Sequence, residues 1–335
     1  MAESQLPWTP RGLTLPAHFL APSVHIRAAS PEDPRLGHLL GRDVTGDRWP
    51  LVAILGFPCD DGVRRNNARE GASMAPDAIR DALYRLTPDE DPAFTRLLAR
   101  TVDFGNLALA TDLLTSQDRL GQVVAACLAH NTIPVMLGGG HETAYGHFLG
   151  YVHAGRDVAA INFDAHPDVR PLIDGSGHSG SQFRQALEHQ SKRCVGYTVA
   201  GLQPHSVSAA HLAFVRDHGG RTVWRRELSI ETIDRLYAAK AGKASSMMAT
   251  FDTDVVDQAF APGVSAPSTG GIGTDLWLHA AYRAGSSPHV HSIDLSEMNP
   301  RFDRDGQTAR LIAVTIWHFL KGVVARLEGQ AEPDV

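Results

Sequence analysis

Short, mostly apolar runs alternate with amphipathic segments along most of this chain. Such runs lie at residues 51–56, 133–137, 158–161 and 246–251, and a further strand is predicted at residues 290–295, where apolar and polar residues are mixed. Runs of four to eight apolar residues are typical of strands buried on both faces. Apolar positions at helical spacing predict helices between them, at residues 73–86, 120–130, 143–152, 230–241, 274–283 and 308–327.

This alternation predicts the α/β class, with a central mostly parallel sheet between two helical layers, that is, a three-layer αβα sandwich. Polar clusters at the predicted strand ends span residues 141–297, so a domain boundary inside that interval would divide them. We therefore predict one domain over residues 51–330. Residues 1–50 show little periodicity, and we expect an extended segment packed on that domain, with one short helix near 36–40.

The composition of the chain bears on whether the protein binds nucleic acid, binds a membrane or is secreted. The 335 residues are 43% hydrophobic and 20% charged, with a formal net charge of −6, which gives no electrostatic reason to expect binding to nucleic acid or an anionic membrane. Three dispersed cysteines are typical of reduced thiols. The start of the chain has no signal pattern, and no apolar run approaches the ~18–20 residues that span a bilayer. We expect a soluble, cytoplasmic protein.

Candidate chemistry begins directly after the run at 158–161. Asp164, His166 and Asp168 follow at alternate positions. Residues two apart on an extended chain share a face, and Pro167 favours an extended residue before it. The three side chains can therefore converge. Two carboxylates and an imidazole at the carboxyl end of a strand form a good shell for a divalent metal.

Two other predicted strand ends carry matching groups. Asp252 and Asp254 repeat the alternate spacing, and His141 follows three glycines that allow a tight backbone turn. Four carboxylates and two imidazoles suit Mn²⁺ better than structural zinc. Six ligands exceed the need of one catalytic ion, and bridging carboxylates would accommodate two ions about 3.5 Å apart.

With these residues assembled, the chain resembles the ureohydrolase superfamily of arginases, agmatinases and formimidoylglutamases. The resemblance extends from about Leu51 to the last predicted helix. It is carried by four motifs in order: Gly-Gly-Gly-His-Glu at 138–142, Asp-Ala-His-Pro-Asp at 164–168, Asp-Thr-Asp at 252–254 and Asp-Leu-Ser-Glu-Met-Asn-Pro at 294–300.

The resemblance implies an arginase-like fold and two Mn²⁺ ions. It also implies a hydrolysis in which metal-activated water attacks the carbon of an amidine or guanidine. It implies that Glu297 binds the cationic amidine nitrogen and stabilises the tetrahedral intermediate. It also implies two ligand sets that share Asp164 and Asp252. One set would be His141, Asp164, Asp168 and Asp252, and the other Asp164, His166, Asp252 and Asp254.

Within the superfamily the chain is most similar to formimidoylglutamases, in the stretches 60–66, 69–72 and 261–267. Arginine binds carboxylates with two parallel hydrogen bonds, as a substrate with two carboxylates would require. Arg170, Arg64 and Arg65 are therefore candidate substrate-binding residues, with Asn66 beside them. Surface ion pairing is the alternative interpretation.

Ser179 and Gly180 stand where arginases and agmatinases carry a proton-shuttling histidine followed by glycine. We predict that both contact the substrate. His178, one residue earlier, is a candidate general acid toward the leaving nitrogen, or else a neutral loop histidine.

The predicted reaction converts N-formimidoyl-L-glutamate and water to L-glutamate and formamide, as in histidine degradation. Two alternatives stay open: an agmatinase or another guanidino-acid ureohydrolase, and a metal-binding oligomeric scaffold without catalysis. The resemblance also implies a homo-oligomer.

Overall fold

The computed structural model describes residues 15–24, 26, 30–41, 49–238, 244 and 246–330. Within these ranges, nine strands form one sheet in the order β1-β3-β2-β4-β9-β8-β5-β6-β7. Neighbouring strands are parallel, except that β1 is antiparallel to β3. The strands are β1 (Phe19–Leu20), β2 (Val52–Phe57), β3 (Thr101–Leu107), β4 (Ile133–Gly138), β5 (Val158–Phe163), β6 (Cys194–Leu202), β7 (Arg221–Trp224), β8 (Ser246–Asp252) and β9 (Val290–Ser296).

Helices cover both faces of this sheet. They are α1 (Leu36–Leu39), α2 (Asp61–Arg65), α3 (Ala75–Leu83), α4 (Pro92–Leu98), α5 (Leu113–Ala129), α6 (Thr143–His153), α7 (Gln182–Glu188), α8 (Ala209–Asp217), α9 (Ile230–Ala238), α10 (Thr274–Ser286) and α11 (Gln307–Gln330). Short 3₁₀ turns lie at Ala72–Met74, Arg225–Glu227 and Thr253–Val255.

Alternate residues of the central strands enter two separate hydrophobic cores. In β2, Ile54 packs into the core shared with α3, α9, α10 and α11, whereas Leu55 packs into the core shared with α5 to α8. Successive strand residues point to opposite faces, so a strand covered on both sides is apolar throughout. The predicted three-layer αβα architecture is confirmed.

Helix α11 corrects one expectation. Its stretch Gln307–Gly329 is long and apolar enough to cross a membrane, by length and composition alone. Of the 18-residue window of this stretch that meets this test, 61% is buried inside the protein, and Trp277 of α10 donates its indole N–H to Thr315 of α11 at 2.6 Å. Contact with α3 and α10 makes α11 a core helix of the sandwich.

Several elements differ from the sequence prediction. Helices α2 and α4 form where the sequence analysis predicted no helix. Helix α4 begins with Pro92 in its first turn, and the Asp91 carboxylate accepts the Ala93 N–H, two strong local start signals. In the N-terminal segment α1 confirms the short helix, and β1 adds an edge strand. The predicted helix at 230–241 is described only as far as Ala238.

Candidate metal centre

The candidate ligands and Glu297 lie at the carboxyl ends of four adjacent strands. His141 follows β4, Asp164 follows β5, Asp252 is the last residue of β8, and Glu297 follows β9. These strands are neighbours in the order β4-β9-β8-β5. Residues separated by more than a hundred positions in the chain are thereby brought to one edge of the sheet, where parallel α/β folds bind ligands.

The backbone after β5 does not remain extended as the alternate spacing predicted. Strand β5 ends at Phe163, and Asp168 adopts a left-handed conformation with φ of 48°. The Tyr197 hydroxyl donates to the Pro167 carbonyl at 2.7 Å. The side chains converge as predicted, but a turn held by β6 brings them together instead of a continued strand.

The first group of candidate ligands surrounds His141. Its Nδ1 atom lies 2.9 Å from Asp168 Oδ2, 2.9 Å from Asp252 Oδ2 and 3.5 Å from Asp164 Oδ2. All four side chains are buried, and one ligand atom from each lies within 4.8 Å of the others. Four ligand atoms that face one another around a small volume are the arrangement that a bound cation requires.

The second group contains Asp164, His166 and Asp254. His166 Nδ1 lies 3.2 Å from Asp254 Oδ2 and 3.5 Å from Asp164 Oδ1. Asp164 therefore directs Oδ2 toward the first group and Oδ1 toward the second, as a bridging carboxylate would. Asp252 belongs to the first group. The ligand atoms of Asp164, His166 and Asp254 already lie within 4.8 Å of one another, so the second group is complete by distance without Asp252.

The electrostatics of these groups fit bound cations. Burial, together with the neighbouring Asp254 and Asp164, raises the pKa of Asp252 well above its usual range. Burial lowers the pKa of His141, but the Asp252, Asp164 and Asp168 carboxylates outweigh this and raise it. Asp254 Oδ1 is buried without a hydrogen-bond partner among the described residues. Divalent cations would balance the crowded carboxylates and occupy that oxygen.

The glycines before His141 are required by close packing. A Cβ atom on Gly139 would lie 1.8 Å from the Cys59 carbonyl oxygen, and one on Gly140 would lie 2.0 Å from Glu142 Oε2. Neither glycine has a positive φ. The turn therefore depends on close backbone approach rather than on a left-handed conformation.

Glu297 has the geometry of a fixed functional group. Its φ is 66°, an uncommon conformation for a residue with a side chain. Its backbone N–H donates to the Gly139 carbonyl, and its Oε1 accepts the His141 N–H, both at 2.8 Å. Burial raises the pKa of Glu297 to about 7. These two bonds join the strand end that carries Glu297 to the strand end that carries His141.

Three supporting residues were missed by the sequence analysis. Asn162 donates to Asp164 Oδ2 at 2.9 Å and accepts from Thr250, and Gln182 donates to Asp168. Each contact orients a candidate ligand or its neighbour, a role that supports metal affinity. Asn162 and Thr250 are polar residues inside otherwise apolar strands, a signal that could have found them. Gln182 carries no such signal.

A second set of predicted residues lines the cavity above the ligands. Arg170 donates to Asn66 Oδ1 at 3.1 Å, and Asn66 Nδ2 donates to Ser179 Oγ at 3.2 Å. The cavity has a volume of about 140 Å³. Its lining comprises Asn66, Ala68, His166, Asp168, Arg170, Ser179, Asp252, Asp254, Ser265, Ala266 and Glu297.

The other two arginines face elsewhere. Arg65 donates to the Gly177 carbonyl, which ties α2 to the loop before Ser179. Arg64 pairs with Asp61 on the surface, with 59% of its side chain exposed. The alternative of surface ion pairing therefore describes Arg64, and the cavity wall contains Arg170 alone of the three.

His178 does not have the geometry of a general acid. It is 1% exposed, its Nε2 donates to the Pro171 carbonyl at 3.0 Å, and its Nδ1 accepts the Gly180 N–H at 3.1 Å. Burial lowers its pKa. Because both ring nitrogens are bound to backbone groups, this geometry favours the alternative interpretation of His178 as a neutral loop histidine. The Gly180 carbonyl accepts the Arg170 N–H at 2.9 Å, so this turn positions Arg170.

A parallel α/β sheet with two groups of carboxylates and imidazoles at its carboxyl edge defines the class of binuclear metalloprotein. The model of the arginase family matches residues 51–321. The chain belongs to the arginase family.

Curated relatives and solved structures are consistent with this family. A formimidoylglutamase of Geobacillus thermodenitrificans is 38% identical over 281 residues, covering 81% of this chain and 85% of the relative. A crystal structure of Trypanosoma cruzi formiminoglutamase with Mn²⁺ has a TM-score of 0.79 at 31% identity and covers 88% of this chain and 99% of its own. The formimidoylglutamase of Bacillus subtilis has a TM-score of 0.80 at 26% identity, covering 91% and 96%.

Proposed function

We propose that this chain is a binuclear manganese hydrolase that converts N-formimidoyl-L-glutamate and water to L-glutamate and formamide. The observation that carries the proposal is the pair of ligand groups joined by Asp164, with Glu297 and Arg170 on the wall of the same cavity. The names of the relatives and the Mn²⁺ of the Trypanosoma cruzi structure support it.

In this proposal His141, Asp164, Asp168 and Asp252 hold one ion. Asp164, His166, Asp252 and Asp254 hold the other. An oxygen-rich set with two imidazoles and no thiolate suits Mn²⁺. When bound, the two ions supply hydroxide at neutral pH by lowering the pKa of water.

Glu297 binds the amidine end of the substrate. Its carboxylate is fixed at one oxygen by the His141 N–H and lies on the cavity wall. A cationic amidine beside Glu297 favours the ionised form of the carboxylate. The positioned carboxylate then stabilises the positive charge on the amidine nitrogens during the reaction. The strained backbone of Glu297 is consistent with a residue placed for chemistry.

Arg170 binds a carboxylate at the other end of the substrate. Asn66, Ser179 and Gly180 position its guanidinium or contact the same substrate end. Arg65 acts through the Gly177 carbonyl, as a positioning residue. We assign no substrate contact to Arg64 or His178, on the geometry described above.

Further features of the proposal rest on the family and on composition. We propose one catalytic domain over residues 51–330, with the N-terminal segment packed on it, and a soluble, cytoplasmic homo-oligomer. The net charge of −6 gives no reason to expect nucleic acid or anionic membrane as a partner. The reaction would serve histidine degradation.

The test is a substrate panel with added Mn²⁺, in which the release of formamide or urea is measured. We expect formamide from N-formimidoyl-L-glutamate and no urea from arginine or agmatine. Urea from agmatine, with nothing from formimidoyl-glutamate, would identify the agmatinase alternative. Binding of Mn²⁺ without turnover of any member of the panel would identify a scaffold.

A further inference from the structure

A second cavity lies at the opposite edge of the sheet from the candidate metal centre. Its volume is about 340 Å³, within the range of small-molecule sites. One side of the cavity is formed by residues at the starts of β2, β4, β5 and β9. The other side is formed by residues near the carboxyl-terminal ends of α5 and α11. No residue of this cavity contributes to the metal-ligand groups or to the cavity above them.

The charged groups of this cavity are all cationic. Arg156 and Arg326 both line it, and no carboxylate is among the lining residues. Among the described residues, neither guanidinium forms an ion pair with a carboxylate, and Asp157, the residue that follows Arg156 in the chain, pairs with Arg193 instead, at 2.8 Å. Unpaired guanidiniums in a partly enclosed space are a favourable site for an anion.

Each guanidinium keeps donors for a ligand. Arg326 uses Nη1 alone, which donates to the carbonyls of Ser287 and Val290 at 3.0 Å and 2.9 Å. Arg156 uses Nη2 alone, which donates to the Leu128 carbonyl at 3.0 Å. These bonds hold the side chains in place, and in the described part of the chain Nε and the second Nη of each arginine make no hydrogen bond.

The remaining wall is mostly apolar. Leu128, Ile133 and Val323 are at most 8% exposed and face the cavity. His291 donates from Nδ1 to the His289 carbonyl at 2.8 Å. Burial, with the nearby Arg326 and Arg156, lowers the pKa of His291, so at neutral pH the imidazole is uncharged. An inorganic ion would leave the apolar wall without a partner.

We propose that this cavity binds a small organic carboxylate, whose charged end pairs with Arg156 and Arg326 and whose apolar body packs against Leu128, Ile133 and Val323. The site is separate from the proposed catalytic centre, at the amino ends of the same strands. It requires neither metal ions nor turnover.

The test uses sodium benzoate as the probe and the Mn²⁺-loaded full-length protein at constant ionic strength. We expect isothermal titration calorimetry to give one site per subunit, with a Kd on the order of 1 mM. Benzamide, the neutral analogue, and inorganic phosphate, an anion without an apolar body, should bind at least about tenfold more weakly.

Leu327 offers a matched pair of variants, because it lines the cavity and is 36% exposed. L327E places a carboxylate beside the two guanidiniums and should weaken benzoate binding at least about tenfold. L327Q, of equal size and no charge, should stay within about twofold of the wild type. R156Q should also weaken binding, whereas R193Q, outside the cavity, should not.

Several results would overturn the proposal. The proposal fails if benzoate does not bind at a concentration 20-fold above the expected Kd, or if benzamide binds as tightly as benzoate. It also fails if phosphate binds more tightly than benzoate, or if L327E and L327Q bind benzoate with equal affinity. Benzoate that binds at the metal ions would be insensitive to L327E and would give that last result. A change of oligomeric state in L327E, measured by sedimentation, would show that a second copy of the chain covers the cavity instead.

Discussion

The two ends of the central sheet carry opposite, unbalanced charges. At the carboxyl ends of the strands, Asp164, Asp252 and Asp254 are buried with two imidazoles as their nearest cations. At the amino ends, Arg156 and Arg326 line a cavity with no carboxylate among the described residues. The two edges belong to the same strands, so the contrast arises from the loops and helix ends that surround each edge.

The contrast shows how a buried charge indicates its partner. An unpaired charge in a partly enclosed site costs free energy, which a ligand of the opposite charge recovers. Clustered carboxylates with converging oxygens indicate divalent cations, whereas two guanidiniums that share a cavity with an apolar wall indicate an organic anion. The carboxyl edge is the more tightly built of the two, because its groups are buried and hydrogen-bonded to one another.

The largest effect is expected from Asp254, which supplies a ligand to the second group only. D254A should lower kcat/KM for N-formimidoyl-L-glutamate at least about a thousandfold, because loss of one ion removes the activation of water. The measurement is steady-state kinetics together with the metal content per subunit. D217N, at an exposed position 65% accessible, is the control. Full activity with one ion per subunit would contradict the binuclear mechanism.

Glu297 tests whether the carboxyl edge acts on the substrate as well as on metal. E297Q keeps the shape of the side chain and the acceptor for the His141 N–H, but it removes the charge that faces the amidine. We expect kcat to fall about a hundredfold or more while two ions per subunit are retained. E70Q, at an exposed glutamate beyond α2, should be unchanged. Loss of metal in E297Q would assign a structural role instead.

Arg170 and Arg64 form the matched pair for substrate binding. R170Q should raise KM for formimidoyl-glutamate about tenfold or more, with kcat within about twofold, because it removes a charge-assisted bond to a carboxylate distant from the reacting carbon. R64Q should have no effect, since Arg64 pairs with Asp61 at the surface. Equal KM values for the two variants would remove Arg170 from the substrate site.

The sequence predicted the central strands that carry the site and the candidate metal ligands, because each signal is local. Apolar runs indicate buried strands, and each ligand motif directly follows one. The left-handed turn at Asp168 and helix α2 depend on contacts with distant residues, such as the Tyr197 bond to Pro167 and the bond from Gly62 N–H to Glu142. The cavity at the amino ends could not be predicted, since Arg156 and Arg326 are brought together only by the packing of helix ends.

The smallest effect is expected from Glu142, which tests the electrostatics of the carboxyl edge most specifically. It is buried outside the two ligand groups, its Oε1 accepts the Gly62 N–H at 2.7 Å, and its Oε2 has no hydrogen-bond partner among the described residues. Burial, with a smaller contribution from Glu297, raises its pKa from 4.5 to about 8. Between these values the unfolded chain has released a proton that the folded chain still holds. Stability must therefore fall as the pH rises across this window.

E142Q has no proton to release, so it isolates this contribution. In chelator-treated protein, the free energy of unfolding of the wild type minus that of E142Q should decrease by about 1 kcal/mol or more between pH 5 and pH 8. Urea unfolding at both pH values measures it. E188Q, whose glutamate is half exposed beside Arg184, should show no such trend. A difference that stays constant with pH would mean that Glu142 is already ionised in the folded protein, and that this edge of the sheet accommodates a further negative charge without a cation.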